Sequence, residues 1–270
     1  MDAISLQAKK SRGDKIVVLT CYDFPTASWQ EEAGVDVIFV GDSVGTNVLG
    51  YSSEHEVTME DMIHHLKAVK RGVRDAYLLA DLPYRSYETP EQGLGNALRL
   101  CSLGAQGIKI EGVVPEVVRA LSARGIDAWA HLGLNPQQHD KKRYQAKTAQ
   151  RARRLLEDAL RLEEAGASFL VLELVPEEVG RAVSEQLSIP TIGIGAGRYT
   201  DGQVLVLPDL LGMAEPALMH AVRYAETRAS AIDAMSRYAR EVREGIFPSA
   251  EHVRHLEGEE LRSFEESPRR

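Results

Sequence analysis

The chain has 270 residues, of which 44% are hydrophobic and 27% are charged, the balance of an ordinary globular protein. Its 32 basic and 40 acidic residues leave a formal net charge of −8, which disfavours a nucleic-acid-binding protein and a protein attracted to anionic lipid. The N-terminal segment lacks the apolar core of a signal peptide, and no apolar run approaches the roughly 18 residues of a membrane span. We therefore expect a soluble cytoplasmic protein with no nucleic-acid or membrane partner.

Eight short apolar runs recur along the chain, and they predict buried parallel strands because they are too apolar for strands with one exposed face. The runs are 15–20, 36–40, 76–80, 107–110, 127–131, 168–172, 190–194 and 203–207. Helix-start and helix-stop signals lie between most of them. The alternation predicts an α/β fold, a (β/α)8 TIM barrel, with a doubly wound open sheet as the alternative. We expect residues 1–270 to form a single barrel domain with a charged C-terminal tail at about 252–270.

Acidic residues follow four of these runs, at the strand ends where a barrel places its chemistry. They are Asp42, Asp81, Glu111 and Glu173. An acidic residue in this position often caps the next helix, but here the next helix-start signals lie well downstream or the residue is Glu, which caps poorly. We interpret the four carboxylates as parts of one site.

A cluster of carboxylates at a buried rim needs a cation or a proton to compensate it. Oxygen ligands of this kind suit Mg²⁺, which takes one or two carboxylates and leaves positions for a substrate. Asp42, Asp81 and Glu111 come from neighbouring strands and could reach one ion. Lys109 shares a strand face with Glu111 and could hold an anionic substrate beside the ion. Glu173, from the opposite side of the barrel, is free to act as a general base.

Three further features have alternative interpretations. His131 ends the fifth run and is either a buried packing residue or a hydrogen-bonding contact for the substrate, and we include it among the substrate contacts. The segment GIGAG at 193–197 either binds phosphate or simply permits close packing, since it lacks the third glycine of G-x-G-x-x-G. The basic run KKRYQAK at 141–147 is either an exposed loop or an attractant for anions.

A series of short motifs, in one order between roughly residues 16 and 251, matches a known family. The most specific are VGDS at 40–43, ADLP at 80–83 and KIEG at 109–112, and others include TCYDFPTA, AHLGLNPQ, LVLELVP and GIFPSAEH. On these motifs the sequence resembles the ketopantoate (3-methyl-2-oxobutanoate) hydroxymethyltransferases.

This resemblance implies a barrel of the phosphoenolpyruvate/isocitrate lyase type. It implies transfer of a hydroxymethyl group from 5,10-methylenetetrahydrofolate to 3-methyl-2-oxobutanoate, which gives 2-dehydropantoate for pantothenate synthesis by a Mg²⁺-dependent, aldol-type enolate mechanism. It also implies a homo-oligomer, often a decamer. By position it implies one Mg²⁺ per subunit on Asp42, Asp81 and Glu111, Glu173 as proton acceptor, and keto-acid contacts at Asp42, Ser43, Asp81 and Lys109.

The segment 137–150 departs from the family, because it is shorter than the family's glycine-rich lid loop and contains no glycine. Two alternatives therefore stay open. One is another metal-dependent carbon–carbon lyase or mutase of the same barrel superfamily that acts on an α-keto acid. The other is a non-catalytic binder that has lost the lid. Such lyases carry a catalytic cysteine loop, and neither Cys21 nor Cys101 has that setting, so we favour the transferase.

Overall fold

The computed structural model describes residues 1–137, 143–215 and 219–266, and within them eight parallel strands close into one barrel in chain order. The strands are β1 Ile16–Thr20, β2 Val37–Val40, β3 Tyr77–Asp81, β4 Gly107–Glu111, β5 Asp127–Gly133, β6 Phe169–Glu173, β7 Thr191–Ile194 and β8 Gly202–Leu205. The strand β1 pairs with both β2 and β8, which closes the sheet. All eight predicted strands and the barrel are confirmed, and the open-sheet alternative is wrong.

Helices alternate with the strands, and several begin at the caps that the sequence provides. The helices are α1 Ala3–Arg12, α2 Phe24–Glu32, α3 Met59–Lys70, α4 Pro90–Ser102, α5 Pro115–Ser122, α6 Ala149–Glu164, α7 Glu177–Gln186, α8 Leu207–Leu210, α9 Thr227–Arg243 and α10 Gly258–Glu266. Thr58 begins α3 with a capping box in which Thr58 and Asp61 exchange side-chain-to-backbone hydrogen bonds. Thr89 caps α4 by accepting a hydrogen bond from the backbone of Gln92.

Alternate residues of each strand face opposite sides of the barrel wall. In β2, Val37 and Phe39 belong to the apolar cluster that fills the barrel. The residues between and after them, Ile38 and Val40, belong to the larger cluster between the strands and the surrounding helices. This alternation decides which side chains reach the interior at the C-terminal ends of the strands.

Aromatic side chains fill the N-terminal half of the barrel interior. Trp129 of β5 and Phe169 of β6 stack with their ring centroids 4.1 Å apart, and Tyr77 of β3 packs against both. Leu6 of α1 is fully buried in the same cluster, so α1 covers this end of the barrel. The chemistry is therefore left to the opposite, C-terminal end.

The chain divides into two compact units, Met1–Tyr224 and Ala225–Arg270. The first contains the whole barrel. The second consists of α9, a short 3₁₀ turn at Ala250–His252 and α10, and none of its described residues is buried. The charged tail predicted at about 252–270 falls within this second unit. In the parts of the chain that the structure describes, no helix is long and apolar enough to cross a membrane.

Candidate active site

The inward-facing residues at the C-terminal ends of β3, β4 and β5 bring four charged side chains together. Asp81 follows the inward-facing Leu79 by two residues, and Lys109 and Glu111 are two apart on β4, so all three point into the barrel. The parallel register pairs Asp81 with Lys109, and Glu111 with His131. Each is no more than 4% exposed. The sequence prediction that these residues converge agrees with this geometry.

Lys109 lies between two buried carboxylates. Its Nζ is 2.8 Å from Asp81 Oδ1 and 3.3 Å from Glu111 Oε1, and it lies 5.5 Å from the centre of the Phe39 ring. Burial opposes a charge on Lys109, but the attraction of Asp81, Glu111 and Asp42 outweighs it and raises the pKa of the ammonium group. Lys109 is therefore a fixed positive charge at the floor of the site.

Asp42 lies just beyond β2 and is bound into the same cluster. Its backbone N–H donates to Asp81 Oδ2 at 3.0 Å, and its own carboxylate accepts from Gln137 Nε2 at 2.7 Å. Burial and the repulsion of Asp81 and Glu111 raise the pKa of Asp42 well above its usual value. The three buried carboxylates thus repel one another, which favours a proton or a cation at Asp42.

The chain after Asp42 contains a helical turn that the sequence interpretation missed. A π-helical turn spans Gly45–Leu49, well before the next predicted helix start at Thr58. The cap position of this turn, Val44, makes no side-chain capping bond, so Asp42 is not a helix cap. The starts of α5 and α7 likewise have no side-chain cap. Neither Glu111 nor Glu173 therefore caps a helix, and both carboxylates are available to the site.

His131 bridges two carboxylates across the end of the barrel. Its Nδ1 is 3.2 Å from Glu111 Oε1, and its Nε2 is 3.4 Å from Glu173 Oε2. Burial lowers the pKa of this imidazole, but Glu111 more than compensates and raises it to about 9. His131 is therefore a charged link between Glu111 and Glu173.

Glu173 is the last residue of β6, and its side chain is 14% exposed, so it can be reached from the cavity. Gly133 allows β5 to pass close beside it: its φ is +98°, and a Cβ there would lie 2.1 Å from the carbonyl oxygen of Glu173. The next residue, Leu174, has a φ of 46°, which is strained for a residue with a side chain. The close approach of Gly133 and the positive φ of Leu174 thus constrain the backbone at Glu173.

Two residues that sequence reasoning missed complete the cluster. Besides contacting Asp42, Gln137 donates its backbone N–H to Glu111 Oε2 at 3.1 Å, and it is 1% exposed. Tyr87 Oη accepts from the backbone N–H of Glu111 and donates to Gln137 Oε1. The motif AHLGLNPQ, which contains Gln137, was the available signal, whereas nothing marked Tyr87.

A cavity of about 80 Å³ opens at the C-terminal end of the barrel. Every residue predicted for the site lines it: Asp42, Ser43, Asp81, Lys109, Glu111, His131 and Glu173. Ser43 Oγ lies 2.8 Å from Tyr22 Oη, which fixes the serine hydroxyl. The structure therefore assembles in one pocket residues that come from four strands and one loop.

The carboxylate oxygens in this cavity suit a divalent metal ion. Within residues 1–137, 143–215 and 219–266, no three His, Cys, Asp or Glu side chains form a ready-made metal-binding group. Magnesium, however, needs only one or two carboxylates and fills its other positions with water and substrate oxygens. Asp42 and Asp81 fit that requirement, because the backbone N–H of Asp42 donates to Asp81 and both carboxylates line the same cavity.

The other two features have simpler explanations or lie outside the described residues. In GIGAG, a Cβ on Gly193 would lie 2.7 Å from Thr200 Oγ1, and one on Gly195 2.6 Å from Leu174 Cδ2, which favours the close-packing interpretation. In the segment 137–150, which departs from the family's lid loop, residues 138–142 lie outside the described part, including the first two lysines of KKRYQAK. Beyond them, Gln145 donates its backbone N–H to the carbonyl oxygen of Leu174 at 2.8 Å.

Fold and site together define a (β/α)8-barrel enzyme with the fold of the phosphoenolpyruvate mutase/isocitrate lyase superfamily. Among solved structures, phosphonopyruvate hydrolase in complex with oxalate and Mg²⁺ is similar, with a TM-score of 0.63 at 13% identity over 98% of this chain and 96% of that one. A 2,3-dimethylmalate lyase of that superfamily has a TM-score of 0.59 at 17% identity over 93% and 91% of the two chains. At these identities the likeness concerns the fold alone.

The sequence profile described as ketopantoate hydroxymethyltransferase matches residues 1–250. The 3-methyl-2-oxobutanoate hydroxymethyltransferase of Nitrosomonas europaea is 47% identical over 94% of this chain and 97% of its own length. That of Thermus thermophilus is 47% identical over 90% and 96%. The chain therefore belongs to the ketopantoate hydroxymethyltransferase family, and it is a transferase.

Proposed function

We propose that this enzyme transfers a hydroxymethyl group from 5,10-methylenetetrahydrofolate to 3-methyl-2-oxobutanoate and so makes 2-dehydropantoate for pantothenate biosynthesis. In the reaction the C3–H bond of the keto acid breaks, and C3 forms a bond to the methylene carbon of the folate. Water supplies the hydroxyl oxygen, and tetrahydrofolate leaves. The observation that carries the proposal is the buried cluster of Asp42, Asp81, Lys109 and Glu111 facing Glu173, in a chain 47% identical to named members of the family.

A divalent metal, which we take to be one Mg²⁺ per subunit, would be held by Asp42 and Asp81, with Glu111 as a direct or water-mediated ligand. Bound there, it would supply Lewis-acid polarisation of the keto group, which makes the C3 proton easier to remove. Gln137 keeps two of these carboxylates in place, since it donates to Asp42 through its side chain and to Glu111 through its backbone. The ligands are thus oriented before any ion or substrate enters.

Lys109 and Ser43 are the groups of this chain that meet the negatively charged keto acid. The Lys109 ammonium, held by Asp81 and Glu111, faces the charge that develops on the keto oxygen as the C3 proton leaves. Ser43, whose hydroxyl is positioned by Tyr22, donates a hydrogen bond to the substrate carboxylate. Asp42 and Asp81, which would hold the metal ion, would complete the contacts to the keto acid beside Lys109.

Glu173 is the base that removes the C3 proton, directly or through one water molecule. It lines the cavity and is more exposed than the carboxylates on the other side. His131, between Glu173 and Glu111, acts as a contact that keeps Glu173 aimed into the cavity. This arrangement separates the tasks, because the carboxylates beside Lys109 bind the substrate and Glu173 moves the proton.

The enzyme works as a homo-oligomer, which family resemblance suggests is a decamer. The helix α9 supports an assembly of copies, because it carries a stripe of exposed apolar side chains: Ile232, Met235, Tyr238 and Val242. Sedimentation analysis of the full chain would report the number of subunits. The two unpaired cysteines, Cys21 and Cys101, agree with a cytoplasmic location.

Complementation of a bacterial pantothenate auxotroph that lacks its own hydroxymethyltransferase tests the proposed function. We expect the gene for the wild-type chain to restore growth without pantothenate, and the purified enzyme to form 2-dehydropantoate only when folate donor and keto acid are both present. The Asp81→Asn variant should fail in both assays. A purified enzyme that cleaves an α-keto acid without folate would identify a lyase, and binding of the keto acid without any turnover would identify a binder.

A further inference from the structure

Tyr87 connects the loop after β3 to the carboxylates of the active site. It is buried, at 8% exposure, and it is not one of the residues that line the inner cavity. A substrate in that cavity therefore does not touch Tyr87. Any effect of Tyr87 on the reaction passes through the residues that its hydroxyl group contacts.

The Tyr87 hydroxyl both accepts and donates a hydrogen bond. Its Oη accepts from the backbone N–H of Glu111 at 3.2 Å. Its single proton can go to Gln137 Oε1, at 2.5 Å, or to the carbonyl oxygen of Glu111, at 3.4 Å, and the shorter distance favours Gln137. Phenylalanine at this position would leave both the Glu111 N–H and the Gln137 amide oxygen without this partner.

The Gln137 amide is oriented by contacts on both of its sides. Its Nε2 donates to Asp42 Oδ2 at 2.7 Å and to the carbonyl oxygen of Leu82 at 3.0 Å. An amide turned by half a revolution would bring its own oxygen against these two oxygens, which would repel it. In the observed orientation, with Oε1 on Tyr87, each polar atom of the amide faces a partner of the opposite kind.

Helix α4 holds the segment around Tyr87 in place. Asn96 of α4 donates through Nδ2 to the carbonyl oxygen of Ser86 at 2.8 Å. Gly93 of α4 lies directly against Tyr87, because a Cβ on Gly93 would be 3.1 Å from Tyr87 Cβ. The hydroxyl is thus positioned by the fold before an ion or a substrate enters.

We propose that Tyr87 is a positioning residue of the metal site, whose hydroxyl fixes the Gln137 amide so that its N–H group holds the Asp42 carboxylate ready for a divalent ion. This inference deepens the proposed function and rests on it. Gln137 also binds Glu111 through its backbone N–H at 3.1 Å, so one glutamine, oriented by Tyr87, steadies two of the proposed ligands. Residues that orient metal ligands in this way typically change metal affinity about 10–100-fold when they are replaced.

Binding of Mn²⁺ to the full-length protein tests the proposal without relying on catalysis. Mn²⁺ prefers oxygen ligands as Mg²⁺ does, and its EPR signal reports the free ion. We expect Tyr87→Phe to weaken Mn²⁺ binding about 10–100-fold, because the Gln137 amide loses the donor that orients it. Gln137→Met, which removes the amide and keeps the length of the side chain, should weaken Mn²⁺ binding at least as much.

The double variant shows whether Tyr87 acts through Gln137. If it does, adding Tyr87→Phe to Gln137→Met should weaken Mn²⁺ binding no more than about twofold further, since an absent amide cannot be misoriented. Tyr77→Phe is the matched control, because it also removes a buried tyrosine hydroxyl, which donates to Asp127 Oδ2 at 2.9 Å at the opposite end of the barrel. This control should lower the stability of the fold but bind Mn²⁺ as the wild type does.

Wild-type Mn²⁺ affinity in folded Tyr87→Phe overturns the proposal, as does full multiplication of the two losses in the double variant. An equal loss in Tyr77→Phe also overturns it, because the effect would then reflect stability alone. If Tyr87→Phe does not fold, wild-type Mn²⁺ affinity in Gln137→Met overturns the proposal by itself.

Exchange of the C3 hydrogen of 3-methyl-2-oxobutanoate in D₂O separates this inference from the proposed function. A wild-type protein that binds Mn²⁺ but exchanges no C3 hydrogen contradicts the proposed function, while the Mn²⁺ affinities of the variants still decide the role of Tyr87. A wild-type protein that binds no Mn²⁺ overturns both the metal site and the role of Tyr87.

Discussion

Replacing Lys109 with methionine removes the cation between two buried carboxylates and keeps the length of the side chain. Lys109 Nζ makes ion pairs of 2.8 Å and 3.3 Å with Asp81 and Glu111, and all three side chains are at most 5% exposed. Breaking a buried ion pair leaves uncompensated charge and costs about 3–5 kcal/mol. We therefore expect Lys109→Met to lose about 3–5 kcal/mol of unfolding free energy in metal-free buffer, or about 6–20 °C in Tm for a chain of this size.

Urea unfolding followed by tryptophan fluorescence measures this loss, and its pH dependence provides a second check. A carboxyl group whose folded-state pKa is raised stabilises the fold when it is protonated, so the deficit of Lys109→Met should be smaller at pH 5 than at pH 8. The control is Arg12→Met, which breaks a 2.7 Å pair with Asp14 whose side chains are more than half exposed, and which should cost at most about 1 kcal/mol. A deficit for Lys109→Met that equals the control and does not vary with pH would refute the role given to this lysine.

Two further outcomes follow from the charges and the burial of the barrel unit. Asp42→Asn should raise Tm in EDTA, because burial and two neighbouring carboxylates raise the pKa of Asp42; a lower Tm in EDTA would contradict this. We also expect added Mg²⁺ to raise the Tm of the wild type and to leave that of Asp42→Asn unchanged. Burial raises the pKa of the Cys21 thiol to about 11, so Ellman's reagent at pH 8 should react with Cys21 only after unfolding. Cys101 is less buried and should react slowly in the folded protein. Immediate reaction of both thiols would contradict the burial.

The barrel and most of the site could be predicted because both depend on local patterns. The apolar runs define the strands, and the two-residue period then decides that Asp81, Glu111 and Glu173, each the last residue of its strand, face the interior. Once the number of strands is known, closure brings these ends to one rim. The alternation of inward- and outward-facing residues along each strand therefore determines where the charged cluster lies.

The parts that escaped prediction depend on contacts between distant loops. Gln137 reaches Asp42 and Glu111 from the loop after β5, and Tyr87 reaches Glu111 from the loop after β3. No period or cap in the sequence encodes such a contact. The π turn at Gly45–Leu49 was missed for a related reason, since its ends carry no side-chain cap that a sequence pattern would reveal.

Removal of the C3 proton by Glu173 is the central step of the account, and hydrogen exchange measures it without folate. In D₂O with Mg²⁺, proton NMR of 3-methyl-2-oxobutanoate should show loss of the C3 hydrogen signal with the wild-type enzyme. Glu173→Gln should slow this exchange at least about 100-fold, since a general base typically contributes that much. Glu157→Gln, a change at an exposed acid on α6, should exchange as the wild type does. Exchange at the wild-type rate in folded Glu173→Gln would contradict the account.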